Sequence, residues 1–374
     1  MFLCLRAAVG VHILYCDMYL PYIATRRAIE AAARIPKSIA MRFGVFCTYE
    51  NPQQDYARCF ETQTRLVRHA EALGFEEAWI AEHHFEPDAV CPSILTLLSY
   101  LAGVTTKIRL GSAAVLLAFR NPIQVAEDVA TIDLLSKGRF DFGVARGGPF
   151  ELQNRHFGAG KDSTREMTLE ALGLVNRLLY EDRVTFTGAH YEANGLSLTP
   201  RPLQKPIPTY LATTTPGAIR YAARNGFGVM AGPPFPIEQI RETLRIYREA
   251  AGPEGDPRFT MARFYFAAPR RELALAEAVP FFARFAERMR GNFARQDGAP
   301  PPSLTEEGLL ERSLIGDFDE VAEKIAAYRE QTGARAILLK PISRDAEKNL
   351  RSLEDFARHV RPMLGTAVEA AAAQ

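Results

Sequence analysis

Residues 108–145, IRLGSAAVLLAFRNPIQVAEDVATIDLLSKGRFDFGVA, contain the strand–helix–strand unit that decides the fold. Two apolar runs, Ile108–Leu117 and Phe140–Ala145, predict buried strands, and Pro122–Ser136 between them has helical spacing. Pro122 suits the first turn of that helix. This order predicts two parallel strands joined by a crossover helix.

The same alternation continues in both directions along the chain. We predict six further strands, at Arg42–Cys47, Glu77–Ala81, Thr209–Ala212, Gly228–Met230, Phe259–Ala268 and Ala336–Lys340. Eight strand–helix units predict an α/β fold, a single-domain (β/α)8 TIM barrel with insertions. The alternative is an open doubly wound sheet, which should carry a glycine-rich turn after its first strand, but Cys47–Asn51 contains no glycine.

Two stretches fall outside the alternation and are the predicted insertions. Val184–Pro208 is polar and proline-rich, which predicts a hairpin or an excursion. Asn292–Leu309 is loop-like and carries Gly298 beside three prolines, so it is either a mobile lid or an inert surface insertion.

The overall composition is that of an ordinary globular protein. The 374 residues are 47% hydrophobic, and 45 Lys and Arg stand against 44 Asp and Glu. This near-zero net charge gives no indication of a basic surface that would bind nucleic acid, and no indication of a polybasic segment that would bind a membrane. The five cysteines include no C-x-x-C pair, so neither a disulfide framework nor a zinc ribbon is predicted, and a reducing cytoplasm is the expected location.

The first forty residues differ from the rest of the chain. They hold four arginines and only two acids, and no span reaches the roughly 18 apolar residues of a transmembrane helix. A transit peptide is the weaker interpretation. We predict that residues 1–40 are an N-terminal extension that need not be part of the fold, and that residues 41–374 form the barrel.

Polar residues collect where the predicted strands end, which is the rim that carries the reacting groups in a barrel. They include the pair His83-His84, Arg146 before two glycines, the run Thr213–Thr215, and Lys340. Adjacent side chains on an extended turn point in opposite directions, so His83-His84 is a poor metal site, and no metal is predicted.

One group of rim residues predicts an anion site. Thr215 and Pro216 fit the cap and first position of a helix, whose free N–H groups and dipole would hold a phosphate. Arg165 stands in the first turn of another predicted helix, Thr164–Tyr180, where a cation opposes the dipole unless an anion lies close by. Arg146 could supply a second guanidinium or form a structural ion pair.

Several stretches in this order and spacing resemble the bacterial luciferase family of flavin-dependent monooxygenases, and specifically its catalytic subunit type. They are Met41-Arg42-Phe43-Gly44, Glu82-His83-His84-Phe85, Ala126-Glu127-Asp128-Val129 with Asp133, Ser136-Lys137-Gly138-Arg139-Phe140, and Phe142-Gly143 with Arg146-Gly147. The likeness runs from Met41 to about Leu364.

The resemblance implies a function and assigns residues to it. It implies a monooxygenase that uses reduced FMN and O2 to oxidise a small organic substrate through a flavin hydroperoxide. Because the sequence shows no dinucleotide fingerprint, we expect a separate flavin reductase, rather than internal NAD(P)H binding, to supply the reduced FMN. His83 would be catalytic, and a homodimer is expected. The implied FMN-binding residues are Arg146 and Arg165 at the phosphate, Thr214 and Thr215 at the helix N-terminus, and Ala113-Ala114 as a non-prolyl cis peptide beneath the isoalloxazine.

The sequence also departs from the luciferase pattern. Ala145 replaces a reactive cysteine, and Thr214-Thr215 replaces Glu-Ser, so light emission is not expected. Two alternatives stay open: a deazaflavin-dependent hydride-transfer oxidoreductase of the same fold, and a non-catalytic flavin-binding subunit.

Overall fold

The computed structural model describes residues 41–148, 150–157, 163–252, 255, 257–295 and 300–364. The predicted extension, residues 1–40, lies outside the described residues. In chain order the strands are β1 (Arg42–Cys47), β2 (Glu77–Ile80), β3 (Arg109–Ser112), β4 (Val115–Leu116), β5 (Phe140–Ala145), β6 (Val184–Thr187), β7 (Glu192–Leu196), β8 (Thr209–Ala212), β9 (Gly228–Ala231), β10 (Phe259–Ala267), β11 (Leu314–Gly316) and β12 (Ala336–Pro341).

Eight of these strands close into a parallel barrel, in the order β1, β2, β3, β5, β8, β9, β10 and β12. The last strand pairs with the first, with Arg42 opposite Ala336, and β9 pairs with β10 to complete the circle. The predicted (β/α)8 barrel is therefore confirmed, and the open sheet is excluded.

Helices cover the outside of the barrel. They are α1 (Tyr56–Ala72), α2 (Ile94–Val104), α3 (Pro122–Leu135), α4 (Glu151–His156), α5 (Ser163–Tyr180), α6 (Pro216–Arg224), α7 (Ile237–Ala251), α8 (Arg271–Ala294), α9 (Glu306–Glu311), α10 (Phe318–Thr332) and α11 (Ala346–Asp355). Side-chain caps stabilise the first turn of several of these helices. Asp55 accepts the Arg58 N–H at the start of α1, Asn121 accepts the Ile123 N–H before α3, and Asp317 forms a capping box with Glu320.

The barrel interior is filled by large side chains below its mouth. Trp79 and Tyr210 meet edge to face at 5.2 Å between ring centroids, and both pack with Met230 and Leu338. The Trp79 indole N–H donates to the buried Glu77 carboxylate, which also binds Arg42. This layer of large side chains fills the barrel interior just below the carboxyl ends of the strands.

The structure corrects several of the predicted elements. The run Ile108–Leu117 is divided between β3 and β4 because Ala113-Ala114 interrupts it. The stretch Asn292–Leu309 is less loop-like than predicted, since α8 continues through Ala294 with Phe293 packed on an apolar cluster. Residues 306–311 form α9, capped by Thr305, whose Oγ1 accepts the Gly308 N–H. Helix α4 and strand β11 were not predicted. Residues 296–299 lie outside the described part, so the lid hypothesis stays a prediction.

Candidate active site

Small side chains form one half of the barrel mouth. Ala113, Ala145 and Ala212, at the carboxyl ends of three strands, pack on the Trp79–Tyr210 layer and are themselves half-buried. The predicted cis peptide between Ala113 and Ala114 is confirmed. Because methyl groups project little, this half of the mouth is a shallow floor that can accommodate a flat ring.

A cavity of about 170 Å³ opens beside this floor, beyond the ends of β5 and β8. Both predicted arginines and the threonine run contribute to its walls. The lining residues are Val144, Ala145, Arg146, Gly147, Arg165, Thr168, Leu169, Leu211, Ala212, Thr213, Thr214, Thr215, Ala218 and Phe235. The structure thus brings Arg146, Arg165, Thr214 and Thr215 together at one cavity.

The N-terminus of α6 meets the same cavity. Thr215 occupies the N-cap position and Pro216 the first helical position, as predicted. The Thr215 N–H donates to Thr213 Oγ1 at 3.1 Å, which orders the approach to the helix. Pro216, Gly217 and Ala218 place no carboxylate in the first turn. The helix dipole and two guanidinium groups therefore favour an anion here.

His83 lies in the turn after β2. Its backbone N–H donates to the Cys91 carbonyl at 3.0 Å, and its ring meets Phe150 edge to face at 5.6 Å between centroids. In the described part of the chain, the buried Nδ1 has no hydrogen-bond partner. Burial lowers the pKa of His83 to about 4, with smaller contributions from the charges of Arg288, Lys340 and His84. The imidazole is therefore neutral near pH 7.

His84 points elsewhere and has a different role. Its Nε2 lies 2.7 Å from Glu82 Oε1, and the same buried carboxylate accepts a hydrogen bond from Arg120 at 2.9 Å. The Leu116 N–H also points to Glu82, at 3.3 Å. His84 thus fixes the turn that presents His83. Among the described residues, no group of His, Cys, Asp and Glu is arranged to hold a metal ion.

The opposite half of the mouth carries large side chains whose roles the sequence analysis did not recognise. Leu338 of β12 points into the barrel, so Lys340, two residues further along, points into its mouth, whereas Phe264 of β10 is fully buried against α8. Lys340 pairs with Glu50, and Phe46 of β1 packs on the interior cluster. The position of Lys340 at the end of a predicted strand was the available signal, but its partner Glu50 lies 290 residues away in sequence.

Across the helices that the structure describes, none has the length and apolar character needed to span a membrane.

The luciferase-like monooxygenase family model matches residues 41–336. The chain is similar to the oxygenase component of flavin-dependent trigonelline monooxygenase from Acinetobacter baylyi, with 25% identity over 86% of this chain and 95% of that protein. It is also similar to F420-dependent glucose-6-phosphate dehydrogenase from Kineococcus radiotolerans, with 33% identity over 49% of this chain and 57% of that protein.

Among solved structures, the chain is similar to monooxygenase RslO1 from Streptomyces bottropensis. The two share 28% identity with a TM-score of 0.78, covering 86% of this chain and 99% of that one. The relatives include flavin-dependent and F420-dependent enzymes, so the family alone leaves the cofactor open between these two. With the family model spanning most of the sequence and the barrel matching a solved monooxygenase, the chain belongs to the luciferase-like monooxygenase family.

Proposed function

We propose that this protein is a flavin-dependent monooxygenase that uses reduced FMN and O2 to oxidise a small organic substrate. The observation that carries the proposal is the 170 Å³ cavity in which Arg146, Arg165 and the N-terminus of α6 meet beside the alanine floor. An anion site and a flat floor in one half of the mouth match the two ends of FMN, its phosphate and its ring system.

The residues present fit FMN. Arg146 and Arg165 would hold the phosphate dianion with charge-assisted hydrogen bonds, and the hydroxyl groups of Thr214 and Thr215 would add donors at the helix N-terminus. Ala113 and Ala114 would lie beneath the ring. When bound in its reduced form, FMN would supply the electrons that activate O2.

His83 is the proposed catalytic residue. A neutral imidazole can accept or donate a proton, and the buried Nδ1 has no hydrogen-bond partner within the described residues. Glu82 and His84 hold its turn in place, and the ring of Phe150 shields it from water.

We also propose that a separate flavin reductase supplies the reduced FMN. The similarity to the oxygenase component of a trigonelline monooxygenase supports the proposal of a separate reductase. The F420 alternative has support from the similarity to an F420-dependent dehydrogenase, and the same cavity would then hold the phosphate of the deazaflavin.

One set of measurements separates these functions. The purified protein is titrated with FMN, reduced FMN and F420, and O2 consumption is followed with a generic FMN reductase across a substrate panel. Tight binding of reduced FMN with substrate-dependent O2 consumption is expected. Anaerobic turnover with reduced F420 would replace the proposal with hydride transfer, and FMN binding without oxidation of any substrate would favour a flavin-binding subunit.

A further inference from the structure

A second and larger cavity, of about 580 Å³, opens beyond the carboxyl ends of β1 and β12. It is within the size range of pockets for small organic molecules. Phe46, Thr48, Glu50 and Lys340 line it, and Arg58, Arg65 and Glu347 are among the charged residues that also contribute. Phe46 also packs on the interior cluster that underlies Ala113 and Ala145, so the cavity adjoins the alanine floor.

Lys340 is the unusual residue of this cavity. Its side chain is only 6% exposed, and its Nζ lies 5.5 Å from the centre of the Phe264 ring and 5.4 Å from that of Phe281. An ammonium group has three N–H donors, and among the described residues Glu50 is its one hydrogen-bonded acceptor. A buried cation held between aromatic faces, with donors to spare, is a recognition site for an acidic oxygen.

Glu50 is the partner of Lys340 that a ligand can displace. Its side chain is 25% exposed, against 6% for Lys340, so the carboxylate can turn towards water while the ammonium cannot. In the protein without ligand, the opposite charges of Lys340 and Glu50 cancel, so neither is an isolated buried charge. A carboxylate on an incoming molecule would restore the same neutrality after displacing Glu50.

A molecule anchored at Lys340 and packed on Phe46 would therefore extend towards the alanine floor.

We propose that Lys340 anchors an aromatic carboxylate substrate in the 580 Å³ cavity, where the substrate carboxylate takes the place of Glu50. The aromatic body of the substrate would pack on Phe46, which lines the cavity. This inference rests on the proposed monooxygenase function and names its substrate class.

The test uses two probes of equal shape, 2-naphthoate and 2-naphthamide, whose binding to the full-length protein is measured by isothermal titration calorimetry with FMN present. We expect the carboxylate to bind about ten- to a hundredfold more tightly than the amide, the usual effect of one charge-assisted contact. Lys340→Met should abolish this preference, since methionine fills the aromatic surroundings without charge. Glu50→Gln should strengthen naphthoate binding, because it weakens the competing partner.

The opposite signs of the two variants distinguish ligand exchange from a merely structural ion pair. Arg65→Met is the matched control, since Arg65 lines the same cavity, pairs with Glu347 and is exposed, so its effect on the preference should be small. Equal binding of the two probes to the wild-type protein would overturn the proposal without requiring any variant. Weakening of naphthoate by both Lys340→Met and Glu50→Gln would also overturn it. FMN affinity, measured on the same samples, reports separately on the proposed flavin site.

Discussion

Arg146 and Arg165 carry the charge of the small cavity, so FMN affinity should depend on each of them. Removing one charge-assisted contact to a phosphate costs about 1.5–3 kcal/mol, and we therefore expect Arg146→Ala and Arg165→Ala each to weaken FMN binding roughly ten- to a hundredfold. Fluorescence titration of FMN measures this. Arg224→Ala, at the far end of α6, is the matched control and should bind like the wild type. Unchanged affinity in folded Arg146→Ala protein would remove Arg146 from the site.

The two adjacent histidines should respond differently to substitution. His83→Ala should leave FMN affinity nearly intact and lower turnover by roughly 10²–10⁴-fold, the usual effect of losing one positioned acid/base. His84→Ala should instead lower stability, because it removes a partner from the buried Glu82 carboxylate. Single-turnover product formation with pre-reduced FMN, together with thermal melting, checks both effects. Wild-type turnover by His83→Ala would refute its catalytic role.

His83 should also make the fold sensitive to acid. Its pKa is lowered to about 4 in the folded protein, against about 6.5 for an unfolded histidine. Between these values the unfolded chain binds the extra proton, so stability is present above pH 6.5 and is lost as the pH falls towards 4. The loss from this one group reaches up to about 3 kcal/mol. Urea unfolding of wild type and His83→Asn at pH 7, 5.5 and 4.5 should show a shallower pH dependence in the variant, and parallel curves would contradict this.

At the scale of single elements, β3 depends on a residue without a side chain. A Cβ on Gly111 would lie 2.2 Å from the ring of Trp79, which is fully buried and held by its hydrogen bond to Glu77. We expect Gly111→Ala to destabilise the protein by about 1–3 kcal/mol through overpacking. Gly103→Ala in α2 is the control, because open space surrounds that position and the helix should gain about 0.5–1 kcal/mol. Denaturant unfolding measures both, and equal effects would refute the steric explanation.

The elements also show what the sequence could and could not predict. All eight barrel strands follow from short apolar runs, because a strand covered on both faces is apolar throughout. That Arg146, Thr214 and Thr215 line one cavity also follows from the sequence, since they stand at strand ends that a barrel brings to one rim. Helix α4 was missed because Glu151–His156 is short and its one buried residue is Gln153, which leaves no apolar period to detect. The Lys340–Glu50 pair depends on closure of the barrel, which no local pattern encodes.

For the whole molecule, the predicted independence of residues 1–40 can be tested by deletion. Strand β1 begins at Arg42, whose backbone N–H donates to the Arg335 carbonyl, so the strands from Arg42 onward close the barrel among themselves. We expect a chain that starts at Met41 to keep its free energy of unfolding within about 0.5 kcal/mol and its FMN affinity unchanged. Thermal melting and FMN titration of the two forms measure this. A marked loss of either property would place the extension within the fold.

The pairing of the first strand with the last one couples the fold to protein synthesis. Because Arg42 finds its partner Ala336 only after nearly the whole chain has been made, β1 leaves the ribosome with an open edge. At about 5–20 residues per second, that edge waits on the order of fifteen seconds to a minute for its neighbour. Chaperone supply during translation, rather than the stability of the finished barrel, is therefore expected to limit the yield of active protein from a heterologous host.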